Sequence, residues 1–458
     1  MVNGLKQDLE QLAERLATGA VVLDVDLMAG YRWDRANDPN AGTPVAVVRV
    51  GSAGDVSQVV RLAAQYATPV VVRGAGSGLS GGSTAIDGCI VISTERMRSI
   101  QIDPVTRTAI VEPGALNVEV KRAAAEHGLW YPPDPSSFEI CSIGGNVATN
   151  AGGLCCVKYG VTSDYVLGMT VVLADGAVVE LGGPRLKDVA GYSLTKLFVG
   201  SEGTLGVVTR IVLRLVPAQR APHTLVAVFP TLEAATDSVV AISRKMRPAM
   251  LEFMDHASIN AVEDMVKMGL DRDAAAMLVI QSDEPTDAAV AEIIEMTRLC
   301  ELNLATEVFA TDDVEVGEAF VTARRIAIPA VERKGPLLLE DVGVPIPQLG
   351  NLVRGIANIA QRHDVMIAVI AHAGDGNTHP LIVLDPTDLN QTARAQRAYG
   401  EIMDLAIGLG GTITGEHGVG RLKKMWLPDY LGPEALSLNR RIKDALDPQG
   451  LFGVGVMF

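Results

Sequence analysis

The chain has 458 residues, too long for one ordinary hydrophobic core, so two or three domains are expected. Apolar residues make up 48 % and charged residues 20 %, the balance of a soluble globular protein, and no run reaches the roughly 18 uninterrupted apolar residues of a membrane span. A net charge of −15 disfavours nucleic acid as a partner and demands a local cationic anchor for any anionic substrate.

The chain opens with MVNGLKQDLEQLAERLA, an amphipathic helix with Leu5, Leu9, Leu12 and Leu16 on one stripe. It carries acids and lacks an apolar core segment, so it is no signal peptide. Five cysteines, Cys89, Cys141, Cys155, Cys156 and Cys300, are odd in number and form no Cys-x-x-Cys pair. That argues against disulfides and iron–sulfur clusters and fits a reducing cytoplasm. Residues 44–50 read as a strand, and Asp55 caps a helix running through Ala67. A second strand, 69–73, runs into Gly74-Ala-Gly-Ser-Gly-Leu-Ser-Gly-Gly82. Gly76-x-Gly78-x-x-Gly81 inside it matches the Rossmann dinucleotide pattern, but another strand, 89–93, follows too soon for the helix that pattern requires. What remains is a glycine-rich loop between strands, whose free amides can cradle a pyrophosphate.

Tyr131-Pro-Pro-Asp-Pro-Ser-Ser137 is rigid and extended, and Cys141–Gly153 is dominated by small residues with hydroxyl and amide groups. Lys158-Tyr-Gly160 closes that stretch, and strands 166–173 and 177–181 follow. A third glycine-rich piece, Gly200–Thr209, enters a strand that ends at Pro217. From about His223 strands and helices alternate up to Ile328, which predicts an antiparallel sheet with helices on one face. A strand over 336–344 and a helix from Gln348 come next.

The run AHAGDGNTHP then lies between the apolar runs 366–371 and 381–384. Asp-Gly between apolar runs is the strongest short hairpin signal. With Asp375-Gly376 as the tip, His372 stands directly opposite His379, with Cβ atoms roughly 4.5–5.5 Å apart. Two such imidazoles either grip one metal ion or form a hydrogen-bonded pair at a sheet edge, and the spacing alone leaves both open. The flanking glycines favour the first, because close backbone approach needs the missing Cβ. A third ligand is available in Gly415-Glu416-His417-Gly418. Helices over 391–409 and 433–446 finish the chain.

Three glycine-rich pieces in this order, followed by HxGDGNxH and GEHG, resemble the FAD-dependent D-2-hydroxyacid dehydrogenases of the vanillyl-alcohol oxidase superfamily, from about Pro44 to Asp447. The resemblance implies an α+β fold. A two-subdomain, PCMH-type FAD-binding domain occupies 1–220, a substrate or cap domain of antiparallel sheet plus helices occupies 221–414, and 415–458 returns to the FAD domain. It implies FAD contacts from the first loop at Arg73, Gly74, Ala75, Gly76, Ser77, Gly78, Gly81 and Gly82. The proline segment would contribute Pro133, Asp134 and Ser137. Ser142, Gly144, Gly145, Asn146, Thr149, Asn150, Gly152 and Gly153 would follow, then Tyr159 and Gly160. Glu202, Gly203, Gly206, Val207 and Val208 would complete the flavin set.

The same resemblance implies metal ligands at His372, His379 and Glu416, a catalytic base at His417, and a substrate-carboxylate arginine at Arg324. The metal would be divalent, zinc first, with manganese or iron as alternatives. Ser77 stands where some superfamily members carry a histidine for covalent flavin, so FAD is expected to be non-covalent. The C-terminal Asp447-Pro-Gln-Gly-Leu-Phe-Gly-Val-Gly455 lacks the usual Asn-Pro, which leaves the seating of the tail open. Leu381, Leu339 and Ile328 replace polar groups of the 2-hydroxyglutarate type and argue against a second substrate carboxylate. The expected reaction is oxidation of a D-2-hydroxy acid, D-lactate-like or longer and apolar, to the 2-oxo acid. An external acceptor (electron-transfer flavoprotein, quinone or cytochrome) would take the electrons. The alternatives are D-2-hydroxyglutarate or glycolate as substrate, an oxygen-using oxidase, and a flavin protein with a structural zinc. The expected setting is the cytoplasm or the inner face of a membrane, with a homodimer as one possible assembly.

Overall fold

The computed structural model describes residues 2–458, which divide into two compact units. The first comprises residues 2–152, 161–218 and 416–458, and the second residues 153–160 and 219–415.

Two sheets build the first unit. Strands β1 (Val21–Val22), β2 (Ala46–Arg49), β3 (Val70–Arg73) and β4 (Ile90–Ser93) form the first, in the order β1-β2-β4-β3. β2, β4 and β3 run parallel, and central β4 is buried at every residue, as expected of a parallel strand covered on both faces. The helix Ala53–Tyr66 connects β2 to β3. Its N-cap is Ser52, whose hydroxyl oxygen accepts from the Asp55 amide, while Asp55 reaches back to the Gly51 amide. Asp55 is therefore the reciprocating third residue and not the cap that the sequence suggested. Leu9, Leu12, Val59, Val60, Ile90, Ile92 and Phe452 form one core cluster of this unit.

The second sheet is antiparallel. It contains β5 (Ile100–Asp103) and β6 (Thr108–Val111); β7 (Leu129–Trp130) lies outside it. β8 (Val166–Val172), β9 (Val178–Gly182) and β10 (Val207–Arg214) complete the order β5-β6-β10-β8-β9, and β11 (Val216–Pro217) pairs with β7. Helices Asn117–Ala125 and Ile143–Thr149 bury Val120, Ile143 and Val147 with Met169, Ile211 and Leu213. The last helix, Leu427–Leu446, breaks its helical geometry at Gly432 (φ 76°), one residue before Pro433, so the predicted start at 433 is a kink inside a longer element.

Beyond that helix the tail returns to the first sheet. Val70 N–H donates to the Leu451 carbonyl at 2.7 Å, Gly453 N–H donates back to Val70 at 3.3 Å, and Phe452 is fully buried. Asp447 accepts from the amides of Leu451 and Phe452, and Lys443 bridges Asp447, the Thr204 carbonyl and the Phe452 carbonyl. The missing Asn-Pro therefore does not leave the tail loose.

The second unit is one antiparallel sheet. Its strands are β12 (His223–Phe229), β13 (Met250–Asp255), β14 (Ala276–Ser282), β15 (Glu307–Thr311), β16 (Leu337–Leu339), β17 (Val342–Gly343), β18 (Ile367–His372) and β19 (Asn377–Val383). The order is β15-β12-β14-β13-β18-β19-β16, with β17 also on β19. The strand predicted over 336–344 divides into β16 and β17 around Glu340-Asp341.

Helices His256–Val266, Val314–Arg325 and Ala327–Glu332 share a cluster with Val226, Met254, Val279, Ile370 and Leu381, one face of this sheet. Helices Leu232–Ser243, Thr286–Leu302 and Leu349–His363 also touch the strands but contribute nothing to that cluster. β14, β18 and β19 are buried at every residue, so both faces are covered. Helices on one face only, as the alternation suggested, is thus corrected: the unbroken run Met277-Leu-Val-Ile280 is the mark of a doubly covered strand. Among the described residues no helix is long and apolar enough to cross a membrane.

Candidate functional site

In the second unit the hairpin β18–β19 carries the histidines, but not in the predicted register. His372 stands opposite Asn377, and His379 opposite Ile370. The turn is Ala373-Gly-Asp-Gly376, with the amides of Asp375 and Gly376 both reaching the His372 carbonyl and Asp375 Oδ1 taking the Asn377 amide. The expected two-residue Asp-Gly tip is therefore a four-residue turn, longer by two residues on its N-terminal side. Its glycines answer to neighbours: a Cβ on Gly376 would stand 2.1 Å from the Val344 carbonyl oxygen, and one on Gly374 would stand 2.7 Å from Val157. Because a register change of two preserves facing, both histidines still share one face. They are diagonal neighbours with ring centroids 5.1 Å apart at an interplanar angle of 85°.

Behind each ring lies an acid that the sequence reading missed. His372 Nδ1 is 2.9 and 3.0 Å from the two oxygens of Glu252 on β13, and His379 Nδ1 is 3.7 Å from Asp341 Oδ1. All four side chains are buried. A metal-ligating histidine commonly turns one nitrogen to a carboxylate and presents the other. The His372–Glu252 pair has that chemistry, Asp341 adds a carboxylate within ionic reach of His379, and the set so fits a divalent metal. On the same face Asn377 Oδ1 is buried with no hydrogen-bond partner among the described residues. Asp341 also accepts from Thr414 Oγ1 (2.6 Å) and the Gly415 amide (3.0 Å), the residue just before Glu416. Nearby, burial lifts the Tyr399 phenol well above its usual range, and the charges of Glu340 and Asp341 add to that.

Arg324, predicted to meet the substrate carboxylate, is 1 % exposed, and its Nη2 lies 2.8 Å from Glu252. Its charge is thus shared with a protein carboxylate. Leu339 and Leu381 pair directly across β16 and β19 and belong to the apolar cluster of that face. Tyr159 and Gly160 fall in the short 153–160 segment of this second unit. There the Tyr159 hydroxyl and Lys158 Nζ donate to Asp283, and Gln219 Nε2 adds a third bond at 3.0 Å. Burial raises Asp283, but those three donors outweigh it and hold the carboxyl below its usual range.

In the first unit the three glycine-rich pieces form one wall. The Ala75 amide donates to Ser142 Oγ at 3.2 Å, and a Cβ on Gly74 would press on that oxygen at 2.3 Å. Gly200 and Glu202 amides donate to the carbonyls of Val147 and Ala148. Arg73 Nη1 donates to the Trp33 carbonyl. Two residues outside the motifs hold the wall. Asn117 bonds the Pro133 carbonyl and Asn146 Oδ1, and Asp34 takes the Ser83 amide and Thr84 hydroxyl.

Several predicted flavin contacts have structural work. Asn146 packs on Asn117, Thr149 Oγ1 donates to the Gly145 carbonyl, and Asn150 Oδ1 accepts from Ser163. Gly206 has no room for a Cβ beside Val171 and Val172. Gly78 and Gly82 differ. Neither has positive φ, and a Cβ on either would meet no atom within 3.6 Å. The protein's own packing gives no reason for glycine there, whereas a closely approaching planar cofactor does, so the wall fits FAD.

Glu202 and His417 also meet within this unit through the backbone. Glu202 accepts from the amides of Val419 (2.8 Å) and Gly420 (2.7 Å), and Ser80 Oγ donates to the His417 carbonyl at 3.1 Å. Burial pushes the Glu202 carboxyl up to about 7 against the pull of those amides. Glu416 Oε1 lies 3.7 Å from His417 Nε2.

Comparison with known proteins places the chain in a family. Residues 218–456 match the C-terminal domain of FAD-linked oxidases, and residues 44–182 match an FAD binding domain. Glycolate oxidase subunit GlcD of Bacillus subtilis is 40 % identical over 93 % of this chain and 92 % of its own. A D-lactate dehydrogenase of Archaeoglobus fulgidus is 34 % identical over 93 % and 94 %. Among solved structures, p-cresol methylhydroxylase with substrate bound superposes with a TM-score of 0.83, covering 98 % of this chain and 96 % of that one at 17 % identity, a likeness of fold.

Proposed function

This chain belongs to the FAD-dependent D-2-hydroxyacid dehydrogenase family, and on that premise we propose that it oxidises a D-2-hydroxy monocarboxylate to the 2-oxo acid. The observation that carries the reading is the histidine face of the hairpin, two imidazoles each close to a buried acid, on the sheet face that also carries the apolar cluster. When bound, FAD supplies the hydride acceptor, and a divalent metal, zinc first, supplies the Lewis acidity that lowers the pKa of an α-hydroxyl. His372, His379 and Glu416 would hold that metal. His417 accepts the hydroxyl proton, and Glu202 and Ser80 keep its loop in place. Arg324 is the candidate for the substrate carboxylate, since guanidinium suits that group geometrically. Leu339 and Leu381 favour an apolar or short substrate chain over a second carboxylate. Ser77 supports a non-covalent flavin. An external carrier, an electron-transfer flavoprotein, quinone or cytochrome, would take the electrons.

Glycolate is the second reading, supported by the name of the Bacillus relative. The test is anaerobic mixing of the purified yellow protein with glycolate, D- and L-lactate, longer D-2-hydroxy acids and D-2-hydroxyglutarate, following flavin bleaching. We expect D-lactate or a longer D-acid to bleach fastest. Bleaching by none of them would overturn the activity, and D-2-hydroxyglutarate as the best substrate would overturn the apolar-pocket argument.

A further inference from the structure

Glu252 lies in Met250-Leu-Glu-Phe-Met254, a strand whose neighbouring positions are all apolar and buried. A lone carboxylate there would cost several kcal/mol, so it persists only with partners. It has two of them, from two different elements. Arg324, at the end of helix Val314–Arg325, places Nη2 at 2.8 Å, and His372, at the end of β18, places Nδ1 at 2.9 and 3.0 Å. A carboxylate accepts, so the proton between them sits on Nδ1, and the ring's lone pair is on Nε2.

We propose that Glu252 is a positioning residue with two dependants: it locks His372 in the Nδ1–H form and it fixes the guanidinium of Arg324. This rests on the reading of His372 as a metal ligand. A merely structural Glu252, present only to neutralise Arg324, would leave the His372 tautomer and metal affinity independent of it. The two roles therefore separate experimentally.

Removing Glu252 alone strands a buried guanidinium and threatens the fold, so the informative variant is Glu252→Met/Arg324→Met, with Arg324→Met as its control. Replacing a buried pair by apolar side chains of similar volume is often neutral for stability. The FAD-loaded protein, labelled with 15N-histidine, is examined by long-range 1H–15N correlation. Zinc affinity is measured by competition with a chromophoric chelator. We expect wild-type His372 to be Nδ1–H, Arg324→Met to hold zinc within a few-fold of wild type, and the double variant to bind it roughly 10–100-fold more weakly. An Nε2–H His372 in the wild type, or a double variant that binds zinc as tightly as Arg324→Met, would overturn the proposal. A wild type that takes up no zinc yet shows Nδ1–H at His372 would instead defeat the metal reading and leave the anchor standing.

Discussion

Glu202 offers the most quantitative handle on the protein. Its half-buried carboxyl sits at the loop that carries His417, and desolvation there raises it to about 7 from an ordinary 4.5. On folding it therefore takes up a proton between those pH values. Its contribution to stability is fully present below pH 4.5 and is lost as pH rises through 7. At about 1.4 kcal/mol per unit, the swing is roughly 3 kcal/mol. Glu202→Gln abolishes the titration and keeps the shape. Its amide oxygen replaces only one of the two acceptors now facing Val419 and Gly420, a pH-independent cost of about 1 kcal/mol. Urea denaturation of wild type and variant between pH 4.5 and 8 reads the difference directly. The variant should start less stable in acid and gain on the wild type by roughly 3 kcal/mol towards pH 8. Parallel curves, or a gap that widens against the variant as pH rises, would refute the buried-carboxyl argument.

Three further outcomes are expected. Phe452→Ala should cost about 3–5 kcal/mol, because the ring is fully buried against the first sheet; an unchanged melting temperature would remove the tail from that core. Acid precipitation should release all FAD into the supernatant, as Ser77 predicts, and colour kept in the pellet would contradict it. Asp283 is held below the usual carboxyl range, so its contribution is present near neutrality and is lost as pH falls through its lowered value. Asp283→Asn should therefore unfold more easily at pH 7 than wild type, with the gap closing in acid, and the 153–160 segment should become the first site of proteolytic cleavage.

How much of this could be read from the residues varied with the kind of interaction. The apolar runs announced the strands, and the glycine-rich pieces with HxGDGNxH announced the family. Register was less legible. Gly374 looks like a turn residue, yet it is glycine because Val157 lies against it, and no local rule carries that information; Gly376 combines a turn φ of +85° with the Val344 carbonyl against it. The face shared by the histidines survived the error only because pleat parity repeats every two residues. Glu252 and Asp341 were missed because each is brought to its imidazole by a segment distant in sequence, β13 for Glu252 and the break between β16 and β17 for Asp341. Even so, an acid inside Met-Leu-Glu-Phe-Met was a visible oddity that could have been questioned. Arg324 looked like an open clamp in sequence, since nothing local announces a partner 72 positions earlier in the chain.

The bridge between Val70 and Phe452 has a consequence for how this protein is made. β3 leaves the ribosome long before the segment that completes its edge. Synthesis at roughly 5–20 residues per second puts about 20–75 s between the two. Once Thr209 is made, the nascent first unit has its glycine wall, but for about 10–40 s more it has neither the loop bearing His417 nor its last β-partner. Cofactor capture should thus be a late event, after release from the ribosome. Expression conditions that slow translation of the final third would then be expected to yield apoprotein or aggregate in place of yellow enzyme.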